Sequence, residues 1–74
     1  MEEKIIEELK DILEIQDQEL SLVDNFKQFD NWDSIANISV IAMLDEDFGV
    51  LIPTEDFKRI TTVQELIDEV KKRM

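Results

Sequence analysis

Asp33 to Gly49 reads DSIANISVIAMLDEDFG, and this stretch decides the fold. It opens on Asp-Ser, either of which can cap a helix N-terminus, and it closes on the chain's single glycine, where a left-handed residue would end a helix. The spacing predicts a helix over about Ser34 to Phe48. At about 100° per residue, Val40, Ile41, Leu44 and Phe48 share one side, the expected core face. Ile35, Ala42 and Met43 fall on or near the opposite side with Ser39 and Glu46, and Asp45 and Asp47 lie at the flanks. A partly apolar strip with an acidic border is therefore expected outside the core, the pattern of a partner surface.

Outward from this segment the pattern stays helical. Upstream, Ile5, Ile6, Leu9, Ile12 and Leu13 recur at helical spacing behind Glu2 and Glu3, predicting a first helix that ends near Ile15. Between about Gln16 and Trp32 the apolar residues Leu20, Leu22, Val23, Phe26, Phe29 and Trp32 fit neither helical nor strand periodicity. This reads as a long loop pinned by apolar anchors, with room for a short helical turn. Downstream, Pro53 breaks the chain and Thr54 is placed to cap a short turn through Phe57. Thr61 to Glu65, TTVQE, offers a capping box in either of two registers. Val63, Leu66, Ile67 and Val70 form a last amphipathic face that ends in Lys71, Lys72 and Arg73, where cations complement the helix dipole. The expectation is an all-α fold, a small four-helix bundle of three main helices and a short third one, with a long first loop and one domain over residues 1–74.

Composition limits the chemistry. The 74 residues contain no Cys and no His, which removes a thiolate nucleophile, a disulfide framework and the usual general base. Nineteen acids against eight bases give a formal net charge of -11, which repels nucleic acid and anionic lipid and favours partners rich in Lys and Arg. No signal peptide or membrane-length apolar run is visible, so a cytoplasmic monomer that does not insert in membranes is expected. A calcium loop fails on spacing: after Asp45 and Asp47 the next alternate position is Gly49, and Val50 stands where the loop glycine belongs. Paired carboxylates on a surface helix have no cleft to shift their acidity, so no catalytic role is expected.

Asp33-Ser34-Ile35 opening a helix, LDEDFGV at Leu44 to Val50, Ile52-Pro53, and TVQEL at Thr62 to Leu66 together resemble the acyl carrier protein family in order and spacing. The resemblance is close from Trp32 to Val70; before that it rests on length, charge and apolar placement. It implies that Ser34 accepts 4′-phosphopantetheine from coenzyme A through a phosphopantetheinyl transferase, with the acyl group then held as a thioester on the arm. A serine at a helix N-terminus suits this, because free backbone N–H groups and the positive dipole end favour a phosphodiester. Asp33 would act as cap and as a recognition residue for the transferase. Asp45, Glu46 and Asp47 would meet basic patches on acyl-loading and acyl-transferring enzymes, and Ile35, with Ala42 and Met43, would pack against those partners.

The chain departs from the pattern of fatty acid synthase carriers at Ala36 and Ser39, where acids are usual, and at Trp32, where a small or aliphatic residue is common. The departures point to a specialised carrier of lipid, polyketide or other acyl-transfer chemistry. An aminoacyl, D-alanyl or peptidyl carrier and an unmodified acidic adaptor remain as alternatives.

Overall fold

A computed structural model describes residues 2–74. The elements are α1 (Glu2–Leu13), a 3-10 turn (Phe26–Gln28), α2 (Ser34–Phe48), α3 (Thr54–Phe57) and α4 (Val63–Arg73). Among the described residues there is no strand, only one isolated bridge between Asn25 and Thr62. The all-α, four-helix expectation holds, and the 3-10 turn occupies the loop in which a short helical turn was expected.

α1 runs antiparallel to both long helices. Its N-terminal Lys4 lies 4.0 Å from Asp47 at the end of α2, and its Glu2 lies 3.5 Å from Lys71 at the end of α4. α2 and α4 are therefore parallel, and their N-termini share one end of the bundle with the C-terminus of α1. Ile5, Leu9 and Leu13 of α1, Val40 and Leu44 of α2, and Leu66, Ile67 and Val70 of α4 are all buried in one core. Burying such side chains is worth about 1.5–3 kcal/mol each, which is how a chain this short offsets its ordering entropy.

α1 stops two residues before the expected end at Ile15. Glu14 adopts a left-handed conformation, φ 59°. The Ile15 N–H donates to Lys10 O at 2.9 Å and the Glu14 N–H to Asp11 O at 3.2 Å, so the helix is terminated by the bond pattern usually built on glycine. Ile15 then folds back into the core, which is why its apolar signal looked helical. α3 also differs from expectation. Pro53, not Thr54, holds the cap position, and no side chain caps the helix; the Asp56 and Phe57 N–H groups donate to Pro53 O.

The long connection is tied down along its length. Asn25 Oδ1 accepts from the Lys27 N–H and starts the 3-10 turn, which inserts Phe26 fully into the core. Phe26 meets Trp32 edge-on, with centroids 5.4 Å apart, and Trp32 stacks on Phe57 of α3 at 6.2 Å. Lys27 holds its ammonium 4.4 Å from the centroid of Phe57 and donates to that residue's carbonyl. Partial burial lowers the Lys27 pKa from the usual lysine range, and the charge of Glu65 opposes the shift.

The same connection satisfies the start of α4. The Val63 N–H donates to Asp24 O and the Gln64 N–H to Leu22 O. The capping box takes the Thr62–Glu65 register: Thr62 Oγ1 accepts from the Glu65 N–H, and Glu65 Oε1 accepts from the Thr62 N–H. Glu65 Oε1 also accepts from Thr61 N–H and Oγ1, each at 2.8 Å. The bonds from Thr61 and Thr62 hold the Glu65 carboxyl below its usual pKa.

Two measurements test these local devices. Glycine relieves the left-handed strain at position 14 and removes a carboxylate from the negative end of α1. Glu14→Gly should therefore stabilise the fold by about 0.5–1 kcal/mol and raise the melting temperature by about 2–8 °C. An unchanged or lower melting temperature contradicts the strain reading. A carboxylate whose folded pKa is depressed stabilises above its unfolded value and loses that contribution as pH falls through the folded one. The melting-temperature gap between wild type and Glu65→Gln should be constant near neutrality and close below about pH 4.3. A gap independent of pH would mean that the charge of Glu65 is irrelevant to its cap.

Candidate functional site

Ser34 is the first residue of α2. Asp33 precedes it in extended backbone, φ -149° and ψ -171°, and Asp33 Oδ1 accepts from the Ala36 N–H at 2.8 Å. Asp33 is thus the cap of the two candidates. This choice leaves Ser34 inside the first turn, exposed, with its own N–H and that of Ile35 ahead of the first intrahelical bond, which runs from Asn37 N–H to Asp33 O. A hydroxyl here stands at the positive end of a 15-residue helix. The approach to Ser34 is fixed from two sides. Trp32 is held in the aromatic group with Phe26 and Phe57, and Asn31 Nδ2 donates to Leu13 O, the last residue of α1, at 2.7 Å.

α2 carries apolar residues on both faces, and burial separates them. Ala36, Val40, Met43 and Leu44 are buried, with Ile41 and Phe48 half-buried at one edge. Met43, expected on the outer strip, is only 7% exposed and belongs to the core cluster. The core arc is wider than the Val40–Leu44 side alone because α1 packs on the flank that holds Ala36, Met43 and Asp47. Asp47 itself is drawn to Lys4 of α1 and bends away from the outer strip.

What is left outside is a stripe of Ser34, Ile35, Ile38, Ala42, Asp45 and Glu46, all within about 120° of the helix circumference. Ile35 is 71% exposed and Ile38 66%. Ile38 lies between the core side and the side opposite it, so the wheel does not single it out; its signal is the four-residue spacing from Ser34, which puts it one turn below the hydroxyl. At the positions where acids were missed, Ala36 is buried and Ser39 half-buried, and both line one groove between α1 and α2.

The charge is unevenly placed. Between Gln28 and Phe57 the chain has Asp30, Asp33, Asp45, Glu46, Asp47, Glu55 and Asp56 and no Lys or Arg. Cations gather instead on α4 and around Lys58 and Arg59. Arg73 pairs with Glu69 at 2.6 Å and Asp56 at 2.8 Å, and these partners raise its pKa. Among the described residues no group of three His, Cys, Asp or Glu side chains is placed to hold a metal ion, and no helix is long and apolar enough to cross a membrane.

A family model described as phosphopantetheine attachment site matches residues 3–70. The chain belongs to the acyl carrier protein family. An acyl carrier protein of Thermosynechococcus vestitus is 29% identical over 72 residues, which cover 97% of this chain and 89% of the relative. One of Rubrobacter xylanophilus is 35% identical over 68 residues, 92% of this chain and 84% of the relative. The prosthetic group is accordingly a covalent 4′-phosphopantetheine, and the protein works as a carrier served by a phosphopantetheinyl transferase and acyl-handling enzymes. The first turn of α2 fits that group: an exposed hydroxyl, unpaired backbone donors and a helix dipole meet at one point, while Asp33 is already occupied as a cap. When attached, the arm supplies the thiol that this chain lacks.

Proposed function

We propose that Ser34 bears the phosphopantetheine and that residues 1–74 act as one carrier unit, presenting a thioester-linked acyl group to its enzymes along the outer stripe of α2. The observation that carries this is the exposed placement of Ser34 at the capped N-terminus of α2, with the approach fixed by Trp32 and Asn31. In the transfer reaction the Ser34 hydroxyl attacks the β-phosphate of coenzyme A. The P–O bond to the adenosine 3′,5′-bisphosphate breaks, the serine proton goes to a base of the transferase, and the N–H groups of Ser34 and Ile35 would hold the phosphodiester left on Ser34. The carrier contributes position and a matching partial charge; the chemistry belongs to the transferase.

Partner contacts divide along the stripe. Ile35, Ile38 and Ala42 offer apolar area near the attachment point, and Asp45 and Glu46 offer charge in the last turns, about 16 Å away at 1.5 Å per residue. Asp47, paired to Lys4, contributes less than its two neighbours. A fatty acid synthase carrier would bring acids closer to the serine, so the uncharged first two turns favour enzymes of a specialised acyl pathway that present an apolar surface there and Lys or Arg further along.

Intact mass after incubation with coenzyme A and a broad-specificity transferase tests the attachment. Wild type should gain one phosphopantetheine and Ser34→Ala none; gain by the alanine variant would move the site elsewhere. For the stripe, Ile38→Glu should leave folding stability within about 0.5 kcal/mol of wild type, because the residue is exposed. It should lower the kcat/KM of transferase modification at least about fivefold, a loss of about 1 kcal/mol of interface contact. Unchanged kinetics would remove Ile38 from the interface.

A further inference from the structure

We propose that the phosphopantetheine arm, when no enzyme holds it, folds into the groove between the C-terminal end of α1 and the first two turns of α2. The proposal rests on Ser34 as the attachment point. The groove has a volume of about 330 Å³, within the range of small-molecule sites, and both chain neighbours of Ser34, Asp33 and Ile35, form part of its wall. A chain tethered at Ser34 therefore starts at the rim.

The lining suits the arm's chemistry, which is a neutral chain of two amides, a hydroxyl and a pair of methyl groups beyond the phosphate. Ile12 of α1 and Ala36 of α2 give an apolar floor for the methyl groups, and the small side chain of Ala36 keeps that floor open. Asn31 spends its amide N–H on Leu13 O and a weaker contact with Glu14, which leaves its carbonyl oxygen to accept from an arm amide. Ser39 lies five residues beyond Ser34, about 7.5 Å along the helix, and its hydroxyl can donate or accept. The carboxylates of Glu14, Asp30 and Asp33 border the groove and repel phosphate. The phosphodiester consequently stays at the helix N-terminus while the neutral part of the arm turns inward.

Weak contacts are sufficient here. Tethering places the arm at an effective concentration in the millimolar range, so the groove populates the folded-back arm without binding free pantetheine tightly. The outer stripe of α2 then remains open for a partner while the arm is parked on the neighbouring face.

The test compares apo and holo protein by NMR. Chemical-shift changes should reach Ile12, Asn31, Ala36 and Ser39, with NOEs from the arm's methyl groups to the side chains of Ile12 and Ala36. In Ser39→Trp, which fills the groove, Ser34 should still gain its mass while those NOEs disappear. Shift changes confined to Asp33–Ile35, arm contacts to Trp32 and Phe57 instead, or NOEs that survive in Ser39→Trp would overturn the proposal. If the variant does not fold, the wild-type NOEs alone decide. Absence of any mass gain on wild type overturns the attachment reading itself, a result distinguishable from a modified carrier whose arm lies elsewhere.

Discussion

The fold depends on Phe26 entering the core from the first connection. Three helices of 11 to 15 residues cannot enclose an apolar interior of this size by themselves, and the side that remains open is closed by a segment with no helix of its own longer than one turn. Phe26 is fully buried and touches the aromatic rings of Trp32 and Phe57, so one residue joins the connection, the entry to α2 and the short α3. The backbone on either side of it does the complementary polar work. Asp24 and Leu22 carbonyls take up the first free N–H groups of α4, donors that would otherwise be left unpaired. Displacing this segment would uncover the core and uncap a helix at once, which makes connection and bundle one cooperative unit.

Much of this could be read from the sequence because the decisive signals were local. Gly49 takes the left-handed conformation, φ 65°, and α2 spans Ser34 to Phe48 as its caps suggested. Thr62 and Glu65 are reciprocal partners in one short motif. What resisted reading depended on tertiary context. Glu14 ends α1 in a conformation that glycine would advertise, and nothing in the residue type signals it. Ile15 sits in the core outside any helix, where periodicity cannot distinguish it from one more helical position. Thr54 resembles a cap, but the Pro53 carbonyl serves α3 instead.

The site was legible to a different degree. Asp33 and Ser34 occupy the places expected of them, since a cap and the residue after it are fixed by backbone geometry alone. The outer face of α2 was harder, because a helix apolar on both sides carries no net direction and only its neighbours decide what is covered. α1 covers Met43 and engages Asp47, and it leaves Ile38 exposed. The wheel is accurate about angles and silent about which arc a neighbour occupies.

The run without a cation from Gln28 to Phe57, set against residues 58–74, where five cations outnumber three acids, gives the molecule an uneven charge in addition to its net charge. In the field of a positively charged enzyme such a body feels a torque as well as an attraction. It turns the acidic side that includes α2 forward before contact. A carrier that must visit several enzymes in turn, with only a small contact area for each, gains from this alignment in the number of collisions that are productive. Reversing the sign of α4's terminal cations would make the net charge more negative yet weaken that alignment, so the placement of charge matters separately from its amount.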